Sequence, residues 1–303
     1  MLWGYSRTSA NEPATLEPDP ELGWRNKPGS YLIPPWSPSG SSTKVTYLAD
    51  GRRDNGSRGS DKQQIMFLGD SFVNGWAVSD EETFLWKVQN RLPEYAVENY
   101  GVGGHSTYQS LMLLDRLLTK TQNRPTVIYG FSTVDADRNV ATEQWLRFLT
   151  AHSRRGHVQV PYVTLDGNNA LSYHPPAEHW IWPLSNRSAF MNVLQNGIQS
   201  LVTRQRSGYK DRATQLLILE MARRCEQRCR NFGVVILTNL DNELQPYANF
   251  LKSKNIPFAD CTMTLTPDLT VEGEGHPNPK GHQLWADCVE GFLKSKILSH
   301  SSE

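Results

Sequence analysis

The sequence predicts an α/β protein in which helices cover both faces of a parallel sheet. From residue 65 onward, short apolar runs alternate with segments of helical periodicity, which is the pattern of parallel strands joined by crossover helices. The apolar runs are nearly continuous, as is typical of strands buried on both faces. The chain has 303 residues, of which 38% are apolar, so it can form a substantial core. One domain with an insertion fits this length.

The first 60 residues differ in composition from the rest of the chain. They are rich in Pro, Gly, Ser and Asn, and they predict an irregular N-terminal arm rather than a domain. Within residues 1–60, only Lys44–Leu48 alternates like a strand. We expect Trp24, Trp36 and Tyr47 to anchor this arm on the main body.

Residues 61–303 form the predicted main domain. A helix is expected to begin near Asp80, and a last helix is expected from Pro279 to about residue 297. Alternating residues around the sequence DGNN predict a β-hairpin, within an insertion at about 152–205, and the following HPPAEHWIWP is predicted to be a loop. Five parallel strands are expected, near Ile65, Ala96, Thr126, Val234 and Pro257.

Composition and charge exclude several classes of protein. Lys+Arg and Asp+Glu both number 31, so the zero net charge argues against a nucleic-acid-binding protein. No apolar run approaches the length of a transmembrane helix, and the N-terminus does not have the pattern of a signal peptide. The four cysteines are too few for a disulfide scaffold and are expected to be unpaired thiols: Cys225, Cys229, Cys261 and Cys288.

A serine follows the first predicted strand of the sheet. In open α/β sheets, sites form in the crevice beyond the carboxyl ends of the strands, and Gly69-Asp70-Ser71 lies there. The Ser71 hydroxyl would be exposed in that crevice, and its backbone N–H could point at a developing oxyanion. A serine nucleophile needs a base, because its hydroxyl is weak by itself.

A histidine precedes the last helix. Asn278 and Pro279 predict a helix start, which places His276 in the crevice rather than in the core. Glu274 is two residues upstream and could fix the tautomer of the imidazole. Ser71, His276 and Glu274 therefore predict a nucleophile, a base and a supporting acid.

Three segments occur in a characteristic order: FLGDSFVNGW, NYGVGGHST and GEGHPNPKGH. Together they resemble the SGNH/GDSL hydrolase family. The earlier DPELGWRNKPG and the later DEETF resemble its bacterial branch, which has an irregular arm ahead of the nucleophile. The similarity spans roughly Asp19–Ala286 and is weakest between about 152 and 230. It implies a flavodoxin-like, three-layer α/β/α fold and a serine hydrolase activity. It also favours an extracytoplasmic setting, although the chain shows no export signal.

The resemblance implies roles for individual residues. The nucleophile falls on Ser71, the base on His276, and the second donor of the oxyanion hole on Gly104. The supporting acid falls on Glu274, where the family has Asp. Glu272 or a backbone carbonyl remain alternatives for that role.

The family has a further conserved motif, GxND, after the third strand. This chain has GFSTVDADRN there, at residues 130–139, so this third motif is altered. The family's Asn donates to the oxyanion, whereas an ionised Asp135 would repel it. Three alternatives stay open. Asn139 donates from further along the chain, or a hydroxyl of Ser132 or Thr133 does, or the hole has only the backbone donors of Ser71 and Gly104.

Two further residues are candidates for contact with substrate. His105 follows Gly104 at the edge of the crevice, and Trp76 is a candidate platform for a sugar or acyl group. The GVGGHS segment departs from GxGxxG, so a dinucleotide site is not expected.

The sequence therefore predicts a serine esterase that acts through an acyl-enzyme. The family resemblance, together with the aromatic candidates, implies that its substrate is a short acyl ester, for example an acetyl group on a carbohydrate. The mechanism requires no cofactor and no metal. Acyl transfer with the same residues, and a binding protein on a catalytically weakened scaffold, are the alternatives. The oligomeric state is left open.

Overall fold

The structure is a computed structural model of the chain. It describes residues 15–57, 59, 61–121, 123–152, 157–180, 182, 184, 188–238 and 244–299. The strand expected near Val234 is predicted to be followed by a crevice loop after Asn239, and this loop lies outside the described residues.

The N-terminal arm contains two hairpins. Strand β1 (Leu16–Asp19) pairs with β2 (Gly23–Asn26), and β3 (Gly29–Ile33) pairs with β4 (Thr43–Tyr47), both antiparallel. The prediction of an irregular arm was therefore wrong, although its one predicted strand overlaps β4. The short, Gly- and Pro-interrupted strands hide the alternation from which a strand is predicted.

The main domain supplies the remaining elements. They are β5 (Gln63–Gly69), α1 (Ser71–Asn74), α2 (Phe84–Arg91), β6 (Tyr95–Gly101), α3 (Thr107–Lys120), β7 (Thr126–Ser132), α4 (Asp135–Asn139), α5 (Glu143–His152), β8 (His157–Leu165), β9 (Leu171–Trp180), α6 (Ala189–Ser207), α7 (Lys210–Arg228), β10 (Asn231–Thr238), α8 (Leu244–Ser253), β11 (Phe258–Asp260) and α9 (Pro279–Phe292). A π-helical turn, Leu293–Ile297, continues α9.

The central sheet has five parallel strands in the order β6-β5-β7-β10-β11. Numbered along the chain, this is the 2-1-3-4-5 order of flavodoxin-like, doubly wound folds. Helices α3, α7 and α8 cover one face, and α2 and α9 cover the other. The predicted fold class is confirmed.

Three glycines lie side by side at the carboxyl edge of the sheet. Gly69 of β5 pairs with Gly101 of β6 and with Gly130 of β7. A Cβ at Gly101 would collide with the backbone of Asn74, and one at Gly130 with the side chain of Val73. The bare backbone therefore lets α1 lie directly on the strand ends, which fixes the turn that carries Ser71.

Side chains of the N-terminal arm pack into the main domain and hydrogen-bond to it. Trp24 is fully buried and donates from Nε1 to the carbonyl of Gly103 at 2.8 Å. The hydroxyl of Tyr47 donates to Asn74 in α1 at 3.2 Å. As predicted, both residues anchor the arm, while Trp36 is only half-buried. The domain boundary at residue 60 remains a prediction.

A buried arginine of the arm supports the turn after Ser71. Arg53 has no exposed surface and forms an ion pair with Asp80 at 3.0 Å. It also donates to the carbonyls of Asn74, Gly75 and Val78. Asp80 was predicted to begin a helix, but this ion pair holds it in a short 3₁₀ turn, and Thr83 caps α2 instead.

The insertion is built on the predicted β-hairpin, which is confirmed. Strands β8 and β9 pair antiparallel, and Asp166 closes the turn by accepting from two backbone N–H groups. The segment predicted as a loop after His174 instead continues β9 to Trp180. A register shift between Val160 and Tyr162 accommodates the prolines of this hairpin. Those prolines made the sequence look like a loop.

All four cysteines are paired. Cys225 bonds to Cys229 at the end of α7, and Cys261 bonds to Cys288, which joins the segment after β11 to α9. The prediction of unpaired thiols was wrong. Sequence spacing contained no information on the second pair, because its two cysteines are 27 residues apart and meet only through the tertiary fold.

Candidate active site

Ser71 lies on a sharp turn between β5 and α1. Asp70 caps α1 by accepting from the N–H of Phe72 at 2.9 Å, so Ser71 becomes the first residue of the helix. Ser71 has an exposed fraction of 3%. A hydroxyl at a helix N-terminus experiences the positive end of the helix dipole, although α1 is only one turn long.

His276 reaches the serine from the loop before α9. Its Nε2 lies 2.9 Å from the Ser71 Oγ. The loop is held by a backbone bond from Val271 to the His276 carbonyl, and by Asn278, which caps α9 as predicted. The ring of Phe72 packs against the imidazole at a centroid distance of 5.0 Å. These contacts fix both the position and the plane of the ring.

Glu274 holds the other side of the imidazole. Both of its carboxylate oxygens lie 2.9 Å from the His276 Nδ1, and Oε2 also accepts from the His276 backbone N–H at 2.8 Å. Burial raises the pKa of the Glu274 carboxyl, but hydrogen bonds from His276 and Trp76 outweigh burial and lower the pKa overall. Glu274 is therefore a carboxylate at neutral pH, and it favours the Nδ1–H tautomer that leaves Nε2 facing the serine.

Glu272, the alternative acid, points elsewhere. Its Oε2 accepts from the hydroxyls of Ser37 and Ser39 in the arm, at 3.0 and 2.5 Å. The structure thus brings Ser71, His276 and Glu274 into one hydrogen-bonded line and leaves Glu272 outside it.

Gly104 lies on the loop after β6, beside the turn that carries Ser71. Val102 donates to the carbonyl of Gly69 at 3.0 Å, which ties this loop to the end of β5. Within the described parts of the chain, the N–H groups of Ser71 and Gly104 have no hydrogen-bond partner. Both donors are therefore available to an oxyanion.

Asn139 is fully engaged elsewhere. Its amide donates to the hydroxyls of Thr107 and Thr214, at 3.0 and 2.8 Å, and its carbonyl accepts from the N–H of Tyr108. Both amide hydrogens are used and the side chain is fully buried, which opposes the expectation that Asn139 serves the oxyanion hole.

The two hydroxyls of the altered third motif differ. Ser132 is hydrogen-bonded to the hydroxyl of Thr238 on the neighbouring strand. The Thr133 Oγ1 is buried and has no partner among the described residues. Of the alternatives left open by the sequence, the contacts oppose Asn139; a hydroxyl of Ser132 or Thr133, or a hole with backbone donors alone, stay open.

Arg138 joins the loops that carry the candidate oxyanion donors. Its Nη1 lies 2.7 Å from a carboxyl oxygen of Asp70 and 3.0 Å from a carboxyl oxygen of Asp135, and it donates to the carbonyl of His105 at 3.2 Å. Burial and the neighbouring Asp70 carboxyl raise the pKa of Asp135 to about 8. The neutral form of Asp135 is thereby favoured, whereas an ionised side chain would have repelled the oxyanion. Sequence reasoning missed Arg138, whose only signal is its spacing of three from Asp135.

His105 does not face the crevice. It is buried, its Nε2 lies 3.0 Å from the carbonyl of Trp24, and burial lowers its pKa to about 4. A neutral, buried ring under the arm opposes the expectation of substrate contact.

Trp76 lies beside the carboxylate of the triad. Its side chain hydrogen-bonds Glu274, and its ring is 6.1 Å from that of Trp36. Both tryptophans are half-buried. Trp76 therefore positions the acid, and the two rings together form an aromatic pair next to the site.

Among the described residues, no group of three or more His, Cys, Asp or Glu side chains could hold a metal ion. Nor does any helix in the described parts of the chain have the length and hydropathy required to cross a bilayer.

Comparisons with known proteins give structural matches only. No protein-family model matches the chain, and no curated protein matches it. The solved structures that it matches include members of the lipolytic G-D-S-L family. This is the family that the sequence motifs resemble.

Three of these structures have similar overlaps with the chain. The first is a lipolytic G-D-S-L protein from Veillonella parvula, with 12% identity, 78% of this chain and 99% of that chain covered, and a TM-score of 0.44. The second is the esterase EstA from Pseudoalteromonas, with 12% identity, coverage of 77% and 97%, and a TM-score of 0.45. The third is the acetylxylan esterase Axe2 from Geobacillus stearothermophilus, with 12% identity, coverage of 78% and 96%, and a TM-score of 0.43.

Proposed function

We propose that the protein is a serine esterase that hydrolyses a short acyl ester, with an acetyl group on a carbohydrate as the preferred substrate. The observation that carries this proposal is the line from the Ser71 Oγ to the His276 Nε2 at 2.9 Å, and from the His276 Nδ1 to the Glu274 carboxylate at 2.9 Å. A hydroxyl, an imidazole and a carboxylate in this arrangement form an activated nucleophile.

The reaction proceeds in two halves. The Ser71 Oγ attacks the ester carbonyl while the His276 Nε2 takes its proton, and the N–H groups of Ser71 and Gly104 hold the oxyanion. His276 then protonates the leaving alkoxide, which gives the alcohol and an acyl-Ser71. Water, deprotonated by His276, attacks the acyl-enzyme, and collapse of the second oxyanion releases the acid and restores Ser71.

The aromatic pair of Trp36 and Trp76 supports a carbohydrate alcohol. The two half-buried rings lie on the side of the site where Glu274 is hydrogen-bonded. Aromatic faces offer a flat apolar surface with polar edges, which suits the face of a sugar ring. A short acyl group fits a nucleophile with an exposed fraction of only 3%.

Hydrolysis of p-nitrophenyl acetate tests the proposed activity. We expect turnover by the unchanged protein, and background rates for Ser71→Ala and His276→Ala, because each variant removes one member of the unit. Equal rates for all three proteins would contradict the proposal. Product analysis with and without a glycan acceptor separates hydrolysis from acyl transfer, since transfer gives an acylated acceptor.

A further inference from the structure

Helix α6 exposes large apolar side chains and buries polar ones, which is the opposite of an ordinary surface helix. Phe190, Val193 and Leu201 have exposed fractions of 73%, 70% and 75%, and Leu194 and Ile198 are exposed as well. Among side chains of α6 that the structure describes, the buried ones are polar: Gln195 and Thr203. A solvent-facing helix ordinarily buries its apolar side, so this arrangement leaves a continuous apolar surface that no described residue covers.

The exposed apolar residues form one stripe. With 3.6 residues per turn, positions 190, 193, 194, 197, 198 and 201 fall within an arc of about 140°, and they extend over about 17 Å of helix. Gly197 lies within the arc, and a Cβ there would meet nothing within 4 Å. The opposite side packs on the protein, where the Gln195 Oε1 accepts from the N–H of Trp182 at 3.0 Å.

The charge of α6 also departs from that of the whole chain. The protein has no net charge, yet the 19 residues of α6 include no acid and carry Arg204 and Arg206 in the last turn. Arg206 turns away from the stripe, since its guanidinium lies 4.3 Å from the ring centre of Tyr162. Arg204 is exposed and, by helical geometry, borders the stripe one turn beyond Leu201.

We propose that α6 is a docking surface for a bilayer that contains anionic phospholipid. The stripe from Phe190 to Leu201 enters the boundary between headgroups and acyl chains, and Arg204 pairs with lipid phosphates at the surface. The helix lies in the plane of the membrane and does not cross it. None of the residues of this surface is among those of the proposed esterase site.

Charge argues against a second copy of the chain as the occupant of the stripe. Two parallel copies of α6 would place Arg204 against Arg204, and like charges repel. Two antiparallel copies would place Arg204 at the N-terminal end of the partner's helix, which carries the positive end of the helix dipole. An anionic lipid surface offers Arg204 a negative charge to pair with, whereas a second copy of α6 does not.

Co-sedimentation of the full chain with vesicles tests this proposal. We expect the protein to bind vesicles of phosphatidylcholine with added phosphatidylglycerol, and to bind phosphatidylcholine alone less. Phe190→Ser with Leu201→Ser is expected to weaken binding by about tenfold or more, because two large apolar side chains no longer enter the bilayer. The matched control is Leu32→Ser with Leu284→Ser, which removes two exposed leucines elsewhere, with fractions of 65% and 48%, and should bind like the unchanged protein.

Three outcomes would overturn the proposal. One is that the unchanged protein stays in the supernatant with both vesicle types. Another is equal loss of binding in the α6 and control variants. The third is a dimer in light scattering that Phe190→Ser with Leu201→Ser converts to a monomer, without lipid binding, which would assign the stripe to a second copy. Circular dichroism and thermal unfolding verify that each variant is folded. Arg204→Glu should lower binding to vesicles that contain phosphatidylglycerol, and it should leave binding to pure phosphatidylcholine vesicles unchanged.

Discussion

At the scale of single residues, Glu274 and Glu272, which lie in the same loop before α9, give a matched comparison. We expect Glu274→Gln to lower kcat/KM by about 10²–10⁴-fold, because an amide neither fixes the productive tautomer of His276 nor stabilises the imidazolium. Glu272→Gln, two residues away and bonded to Ser37 and Ser39, should leave kcat/KM nearly unchanged. Steady-state kinetics with p-nitrophenyl acetate measure kcat/KM for both variants. Equal losses in both variants would remove Glu274 from the proposed triad.

A second residue-scale prediction concerns Asp135. Its pKa of about 8 in the folded protein lies above its value in an unfolded chain, because burial and Asp70 disfavour the charged form. The native state therefore holds the proton more tightly. The resulting stability is fully present below the unfolded pKa, and it is lost as the pH rises through the folded pKa.

Between about pH 5 and 8, the free energy of unfolding should accordingly fall less for Asp135→Asn than for the unchanged protein. Urea denaturation at several pH values measures this difference. Asp61→Asn, at an exposed position, is the control and should follow the unchanged protein. Parallel pH dependences for Asp135→Asn and the unchanged protein would contradict the assigned pKa shift.

The residues of the site also mark how far sequence reasoning reaches. Ser71, His276 and Glu274 lie at strand ends or before a helix cap, so local patterns placed them together. Asn139, His105 and Arg138 could not be assigned in this way. Their environments depend on α7, the arm and the end of β5, which are distant in sequence and meet only in the folded chain.

At the scale of elements, the arm supports the turn that carries the nucleophile. Arg53 is the contact to remove, since it pairs with Asp80 and donates to three carbonyls around the end of α1. Arg53→Met should lower the free energy of unfolding by about 3–5 kcal/mol, because it leaves Asp80 buried without its partner. Chemical denaturation measures the loss.

The control for Arg53 is Arg25, an arm residue whose ion pair with Glu17 is exposed. Arg25→Met should change the free energy of unfolding by about 0–1 kcal/mol. If both arginine variants lost the same small amount, the arm would not support the turn as described. Sequence patterns did not indicate these contacts, because two adjacent arginines among Gly, Asn and Asp look like solvated loop residues.

At the scale of the whole molecule, alternation of strands and helices was enough to predict the sheet and its two helical layers. It was not enough to predict the disulfide between Cys261 and Cys288, which depends on how α9 packs beside β11. We expect Cys261→Ala with Cys288→Ala to lower the free energy of unfolding by about 3–4 kcal/mol, following the entropy of the loop that the bond closes. Cys225→Ala with Cys229→Ala should cost less of this entropy, because that bond closes a separation of only four residues.

Thiol titration of the denatured, unreduced chain tests both bonds at once. We expect no reactive thiol before reduction and four after it. Four thiols before reduction would restore the sequence-based expectation.

Labelling with a serine-reactive phosphonate, followed by peptide mass spectrometry, tests whether Ser71 is an activated nucleophile. We predict one adduct, on the peptide that contains Ser71, no adduct in Ser71→Ala, and much slower labelling of His276→Ala. A folded protein that stays unlabelled, or an adduct on another serine, would contradict the assignment of Ser71 as an activated nucleophile.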